Sequence, residues 1–416
     1  MVTMSNTELP ECLNTTFVKN LLQKKNIDEN ISVTSLEVKS AVPAGENFLG
    51  ILQRLKVTYK CGDNTDIKTF SLVIKSQPSC ELTRQFIDEI KAFQTEMHVY
   101  KTILPAMYQI GEERMPEDFI CLPRLTPEFI DCPQKDIFVL EDLASKGYVM
   151  KQRRYLFDLD HTKAVVQALA RFHAMSYALY LRNPSVFENV QENQFTDAPD
   201  RLKSEKDFSV YRINMLVEEF KKWPGYEHYI EKLSKVTENL INEVAEIVKP
   251  IKNSISVLNH GDCWVNNILF RHNSVTGVIE DVRFIDFQMC RFSSPVLDLH
   301  YFLYTSVREE VLFENLDEVL SGYHAKFTKT LKLLKCSFKE YTFRQFKKEF
   351  DEKEYFGFFN AITKLCAVLG EPSRTYEETK ILENEKDIST NQGSNKVQLK
   401  DMFRRLFPYF ESKGFV

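Results

Sequence analysis

Glycine and proline are scarce, with 13 and 15 in 416 residues. That scarcity excludes collagen-like and low-complexity chains and argues against a turn-rich all-β architecture. The nine cysteines, at 12, 61, 80, 121, 132, 263, 290, 336 and 366, contain no CxxC pair and no Cys/His zinc spacing. An odd, scattered set is not a disulfide framework, so reduced thiols in a cytoplasmic protein are expected. No apolar run approaches the ~20 residues of a membrane span. The N-terminal MVTMSNTELPECLNTTF lacks the basic and apolar regions of a secretion signal, and the C-terminal KGFV is neither a retention nor a prenylation signal. Charge of one sign is missing too: 54 basic residues against 59 acidic leave a net charge of −5. Nothing in that balance suggests nucleic acid. The expectation is a soluble chain with no membrane, nucleic-acid or obligate protein partner.

What is present is bulk and length. Hydrophobic residues make up 43% and charged residues 27%, ordinary for a globular chain, with 32 phenylalanines and 17 tyrosines to fill a core or an apolar pocket. The length exceeds what one hydrophobic core usually holds, so two lobes are expected.

Residues 13–25 read as a short amphipathic helix. Strand-like runs come next at 31–42, 48–60 and 66–76, separated by the polar turns AGEN (44–47) and CGDNT (61–65). Apolar positions at Phe86, Ile90, Phe93, Met97, Tyr100 and Leu104 predict a helix over 84–103, stopped by Pro105. Strand signal returns at 106–110 and in DIFVLEDL (136–143). Beyond Gly147 the pattern turns helical. Asp160 is a candidate cap for a helix over 161–182 that ends at Asn183-Pro184, and further helices are expected at 206–222 and 227–249. A strand pair, 257–270 with 281–288, interrupts them; helical pattern then runs to the end, except for a polar stretch at 384–396. The expected organisation is a β-rich N-lobe (1–140), a hinge (141–147) and an enlarged, mostly helical C-lobe (148–416).

The segment His260-Gly261-Asp262-Cys263-Trp264-Val265-Asn266-Asn267 carries the strongest chemical signal. It sets a carboxylate at 262 and an amide at 267, and FIDFQ adds a second carboxylate, Asp286, at the end of an apolar run. Phosphoryl transfer needs one carboxylate to take a substrate hydroxyl proton, and another, with an amide oxygen, to hold Mg²⁺ against phosphates. HGD alone is common; the combination is specific. Three weaker pieces fall in the required order. Lys75 in SLVIKS suits a lysine contacting the α/β-phosphates, although a lone strand lysine is more often an edge charge. Glu96 could pair with it, with Glu89 as competitor. AGENF, holding Gly45 with Gly50 just beyond, could cover phosphates with backbone N–H groups.

Taken in order, AGENF, VIK, E-x-x-x-Y-x-x-I-L-P, VLEDL, LARFHA, HGDCWVNN and IDFQ resemble the insect ecdysteroid 22-kinase-like family over about residues 30–330. That group is related to choline kinases and aminoglycoside phosphotransferases. The resemblance implies an α+β, two-lobed protein-kinase-like fold. It implies ATP and Mg²⁺ as cosubstrate and cofactor, and phosphorylation of a hydroxyl on an apolar alcohol such as an ecdysteroid or xenobiotic. By position, Asp262 becomes the catalytic base and Asn267 and Asp286 the metal ligands. Lys75 and Glu96 become an ion pair that positions phosphate. Asn47 and Phe48 lie in the phosphate loop. The backbones of Glu141 and Leu143 would bond adenine, with Asp142 at the hinge. His260 would support the Asp286 turn, and Asp298 would brace the catalytic loop. One departure is AGENFLG, where family members more usually carry tyrosine and serine at the places of Phe48 and Gly50.

Other residues have plainer readings. His173 on an apolar helix face is expected to be a core histidine bonded to backbone. Cys263 lacks a partner base and reads as packing, and Trp264 as a buried loop anchor. Tyr341, Phe346, Phe350 and Phe356–Phe359 read as core with some pocket wall. Two alternatives remain. A choline- or aminoglycoside-type kinase would need clustered carboxylates or an aromatic cage, and Asp197, Asp200 and Glu205 are loose candidates for the carboxylates. A pseudokinase would bind a hydrophobic ligand without chemistry.

Overall fold

A computed structural model describes residues 10–24, 30–41, 50–62, 66–78, 81–115, 124–132, 134, 136–190, 199–249, 254–338, 340–369 and 396–416. Asn47, Phe48, Gly45 and the rest of 42–49 lie outside them, as do Asp197 and most of the 384–396 stretch.

The N-terminal sheet is five-stranded and antiparallel, in the order β1 (Ile31–Ser40), β2 (Ile51–Cys61), β3 (Lys68–Ser76), β5 (Ile137–Glu141), β4 (Phe129–Ile130). Period-2 alternation decides its faces. Leu55, Val57 and Tyr59 of β2 join Leu72 and Ile74 of β3 in one core with Leu13, Val18 and Leu22, from the Thr15–Lys24 helix and the turn before it. Lys75, the next residue after Ile74, therefore lies on the opposite face of the central strand, paired in register with Leu52 and Phe138.

The expected helix over 84–103 is broken and then prolonged. Helix Glu81–Glu89 gives way to Lys91 in the left-handed region (φ 53°), and the chain continues through Ala92–His98, a wide turn over Val99–Ile103, and helix Leu104–Arg114. So 106–110 is helical, not a strand, and Pro105 does not end the helix. The Leu104 N–H reaches back to the Val99 carbonyl. This wide turn lets proline, which has no N–H to donate, sit in the first turn of helix Leu104–Arg114.

The remaining described chain is mostly helical. The cap of helix Leu159–Arg182 is Asp158, whose side chain accepts the His161 N–H, rather than the expected Asp160. Helix Pro199–Phe220 comes next, and the expected 227–249 helix is two, Glu227–Thr237 and Leu240–Val248. Val296–Ser306 is buried at every residue, and helix Tyr355–Leu369 packs against it. Phe346, Phe350, Phe356, Phe358 and Phe359 are all buried, as expected for core, while Tyr341 is half-buried.

The expected strand pair is rearranged. After β6 (Tyr148–Met150), the short β7 (Val257–Asn259) pairs antiparallel with β10 (Arg291–Ser293), while β8 (Ile268–His272) pairs with β9 (Ile279–Phe284). Residues 260–267 form the loop between. The architecture is α+β. Among the described residues, those up to 87 and those from 127 to 148 cluster as one compact unit, and those from 88 to 126 and from 149 onward as a second. Glu96 falls in the second, mostly helical unit. No helix among the described residues is long and apolar enough to cross a membrane.

Candidate active site

The loop after β7 is held by one buried carboxylate. Asp298 accepts the backbone N–H of His260 at 2.6 Å and of Gly261 at 2.9 Å, and the His173 Nε2 lies 3.0 Å from its Oδ2. Burial alone would raise the Asp298 carboxyl, but the hydrogen bond from His173, neighbouring His260 and the Gly261 N–H more than offset it and hold it below its ordinary range. Gly261 is required here: its φ is +79°, and a Cβ would come within 1.9 Å of the Met289 carbonyl oxygen.

Asp262 and Asn267 form one unit. The Asn267 Nδ2 donates to both the backbone oxygen and Oδ2 of Asp262, each at 2.9 Å. The Tyr301 hydroxyl donates to the other carboxylate oxygen, Oδ1. Both oxygens of Asp262 are thus fixed in direction before any ligand arrives.

The second carboxylate is brought alongside by backbone bonds. His260 accepts the Asp262 N–H at Nδ1 (3.3 Å) and donates from Nε2 to the Ile285 carbonyl (2.9 Å), while the Ile285 N–H bonds the Asn267 carbonyl (3.1 Å). Asp286, just past the end of β9, lies in the left-handed region at φ 69°, a strained conformation for a residue with a Cβ. The next N–H, that of Phe287, donates to Glu96 Oε1 at 3.3 Å, and Tyr100 meets the Phe287 ring edge-on at 5.5 Å. Glu96 is fully buried.

These donors fit a hard divalent cation. With Nδ2 committed to Asp262, Asn267 keeps its carboxamide Oδ1 as an oxygen donor, and Asp286 offers a carboxylate whose Oδ2 accepts from Gln288 Nε2 at 3.3 Å. Mg²⁺ is ordinarily held by one or two protein oxygens plus phosphates and water. Among the described residues no group of three or more His, Cys, Asp or Glu side chains could hold a metal ion by itself.

In the sheet unit, Lys75 is 4% exposed despite its charge. A Cβ on Gly50 would lie 3.1 Å from the Ser76 carbonyl oxygen and 3.5 Å from Lys75 Cε, so glycine leaves room beside the lysine that a serine would restrict. The backbone N–H of Glu141 is taken by the Glu128 carbonyl at 2.9 Å, and its side chain pairs with Lys146. Asp142 is 3% exposed and ties three segments together. It accepts from Arg54 Nε at 2.8 Å, from Ser71 Oγ at 2.6 Å, and from the Ala144 N–H at the start of the Leu143–Lys146 turn. Leu143 is buried in that turn.

The profile of the ecdysteroid kinase-like family matches residues 44–336, which span every motif described above. The chain belongs to the ecdysteroid kinase-like family. No curated protein matches it by sequence. Solved structures similar to it include a Plasmodium vivax ethanolamine kinase at 13% identity and a TM-score of 0.41, covering 98% of this chain and 93% of that one. An amicoumacin kinase solved with AMP-PNP and Ca²⁺ is similar at 10% identity and a TM-score of 0.43, covering 94% and 93%. The GDP complex of aminoglycoside 2′-phosphotransferase-IIIa is similar at 14% identity and a TM-score of 0.39, covering 89% and 97%.

In this member of the ecdysteroid kinase-like family, several side chains do something other than the sequence suggests. His173 is a buried core histidine, but its partners are the side chains of Asp298 and Tyr323 (Nδ1 to hydroxyl, 2.7 Å) rather than backbone. Trp264 is half-buried rather than buried. Cys263 is fully buried, and burial, then Asp298 and Asp262, push its thiol well up, which suits packing and not nucleophilic attack.

Two residues have no sequence signature at all. Tyr301 sits one turn beyond Asp298 on the same helix and reaches Asp262 only through the tertiary fold. Lys364, from helix Tyr355–Leu369, lies with its Nζ 5.0 Å from the Tyr301 ring centre. Of the loose carboxylate candidates, only Glu205 has a described side chain, and burial raises its carboxyl despite Lys364, Arg212 and Arg291 nearby.

Proposed function

We propose that this chain is an ATP-dependent kinase of a small alcohol, an ecdysteroid or a xenobiotic alcohol being the class the family suggests. The observation that carries this reading is the Asp262–Asn267 pair, bonded to itself, braced by Asp298 and joined through His260 and Ile285 to the Asp286 turn. A binding protein has no use for a carboxylate whose two oxygens are aimed this way beside a second one held in backbone strain.

Asp262 would accept the proton of the substrate hydroxyl as its oxygen attacks the γ-phosphorus. The bond to the β–γ bridging oxygen breaks, ADP departs, and the alcohol leaves as its phosphate ester. Bound Mg²⁺ would neutralise phosphate charge, with Asn267 Oδ1 and Asp286 as its protein ligands. Lys75 would contact the phosphates, with Glu96 as its partner and Asn47 and Phe48 in the covering loop. Because the Glu141 N–H is already used, Glu141 would offer adenine its carbonyl and Leu143 its N–H.

The test is a mass gain of one phosphate on an alcohol incubated with the protein, ATP and Mg²⁺. Asp262→Asn is expected to cut transfer by about 10²–10⁴, the range for a lost general base, while keeping Mg²⁺-dependent thermal stabilisation by ATP. Asp286→Ala is expected to lose that stabilisation. Normal turnover by Asp262→Asn would sink the assignment.

A further inference from the structure

Away from the catalytic loop, the mostly helical unit brings two imidazoles together. His161 lies in the first turn of helix Leu159–Arg182, and His272 ends β8, the strand that begins directly after Asn267. Their Nε2 atoms are 3.4 Å apart, with the ring planes at 54° to each other. An N–H donor ordinarily approaches its acceptor to about 2.9–3.0 Å, so a direct hydrogen bond between the rings is a long one. Two nitrogens on one tetrahedral Zn²⁺, each at about 2.0–2.1 Å from it, stand about 3.3–3.4 Å apart. The observed spacing is that of a chelating pair.

The other edge of His161 is fixed. Its Nδ1 lies 2.7 Å from Asp158 Oδ1. In the neutral ring a proton on Nδ1 is donated to that carboxylate, which leaves the lone pair on Nε2, facing His272. Metal-bound histidines ordinarily donate their second nitrogen to a carboxylate in this way, which orients the ring and strengthens it as a ligand. Phe157 stacks on the His161 ring with the planes 6° apart, and Phe270 meets it edge-on at 4.9 Å. The Lys151 ammonium, 3.4 Å from the same Nδ1, opposes a cation by its charge, but the Asp158 carboxylate 3.2 Å from it offsets that charge. His161 keeps 18% of its side chain open to solvent and His272 is half-buried, so water can reach the pair.

We propose that His161 and His272 chelate a divalent transition-metal ion of the Zn²⁺ or Ni²⁺ class through their Nε2 atoms, with Asp158 orienting His161. Imidazole nitrogens suit such ions, whereas Mg²⁺ and Ca²⁺ take oxygen ligands. The site is distinct in chemistry from Asn267 and Asp286 and does not depend on the kinase reading. Two protein nitrogens with water in the remaining positions make an exchangeable site, since closed structural zinc sites use four protein ligands. A bound ion would tie the start of helix Leu159–Arg182 to β8. Phe157 beside His161 donates its N–H to the Ser306 carbonyl at 2.8 Å, and the Ser306 hydroxyl accepts the Val265 N–H of the catalytic loop at 3.2 Å. The ion site and that loop therefore share one packed cluster.

The probe is Ni²⁺, titrated calorimetrically into the reduced protein with excess Mg²⁺ present. One equivalent is expected to bind in the micromolar range and to stay bound as Mg²⁺ is raised to millimolar. His161→Gln and His272→Gln are each expected to lose that equivalent. Asp158→Asn, which keeps a good helix cap, is expected to weaken it about tenfold. Asp286→Ala is expected to bind Ni²⁺ as the wild type does, even where it loses Mg²⁺-dependent stabilisation by ATP, so the two readings stand or fall separately. A second measurement locates the ion without any variant: Ni²⁺ should slow the labelling of His161 and His272 by diethyl pyrocarbonate, scored by peptide mass. Full binding by either folded histidine variant overturns the proposal, as does labelling of both histidines that the ion leaves unchanged. Absence of binding at about 1 mM Ni²⁺, or displacement of the ion by Mg²⁺, does the same.

Discussion

Oδ2 of Asp298 lies 3.0 Å from Nε2 of His173, and neither side chain has any exposure to solvent. The same carboxylate also receives the N–H groups of His260 and Gly261. A single buried side chain thus orients three donors from two separate segments, and Asp262 comes directly after the second of them.

Asp298→Ala would strand all three donors in a dry site. We expect a loss of about 3–5 kcal/mol in urea unfolding, the usual cost of breaking a buried charged pair. Asp298→Asn is not conservative, since its NH₂ group would face one of the backbone N–H donors; it is expected to recover less than half of that loss. A loss below about 1 kcal/mol for the alanine variant would mean that the loop is held by something else.

Asp142 should matter more than its place in VLEDL implies. Its carboxylate is nearly inaccessible, whereas the Arg54 side chain it meets is 36% exposed. Removing Arg54 costs little where water can replace it, about 1 kcal/mol or less. Asp142→Ala leaves the Ser71 hydroxyl and the Ala144 N–H without their acceptor and should cost about 2–3 kcal/mol. Thermal unfolding of the two variants side by side checks the order, which is the informative result.

His300 supplies an acid-side dependence. Burial pushes its imidazole down to about 4, and its Nδ1 has no hydrogen-bond partner among the described residues. Below its ordinary value near 6.5 the unfolded chain takes up a proton that the folded chain refuses until about 4. Stability is therefore complete above that window and falls as pH falls through it, by up to about 1.4 kcal/mol per unit. His300→Gln lacks this term, so the stability gap between it and the wild type should narrow from about pH 7 to about pH 5. A gap that stays constant in urea titrations would contradict the buried neutral histidine.

Much of the sheet is readable from the chain alone because alternation has a period of two and needs no partner to be seen. Three N-terminal strands come within a few residues of their expected ends. The strand expected at 106–110 is absent because Pro105 signals a stop only if the helix before it is regular; the wide turn at Val99–Ile103 removes that condition. The 257–270 run reads as one strand because Val257–Asn259 and Ile268–His272 are both apolar. Gly261 breaks between them, and β10, from a later segment, takes up the first piece.

The site divides along the same line. HGDCWVNN and IDFQ fix the identity and order of Asp262, Asn267 and Asp286, since their chemistry depends on residue type at short spacing. That local information is enough to name the family. What surrounds Asp262 is not legible in the sequence: Tyr301, Lys364, Arg212 and Arg291 come from segments between 29 and 102 residues away and carry no motif of their own. Their effect is electrostatic, set by distance and by exclusion of water, and both quantities exist only once the helices have packed. The sequence by itself determined the family and the order of the motif residues, because both are read from residue type at short spacing. The tertiary structure decided the field in which an acceptor would meet Asp262.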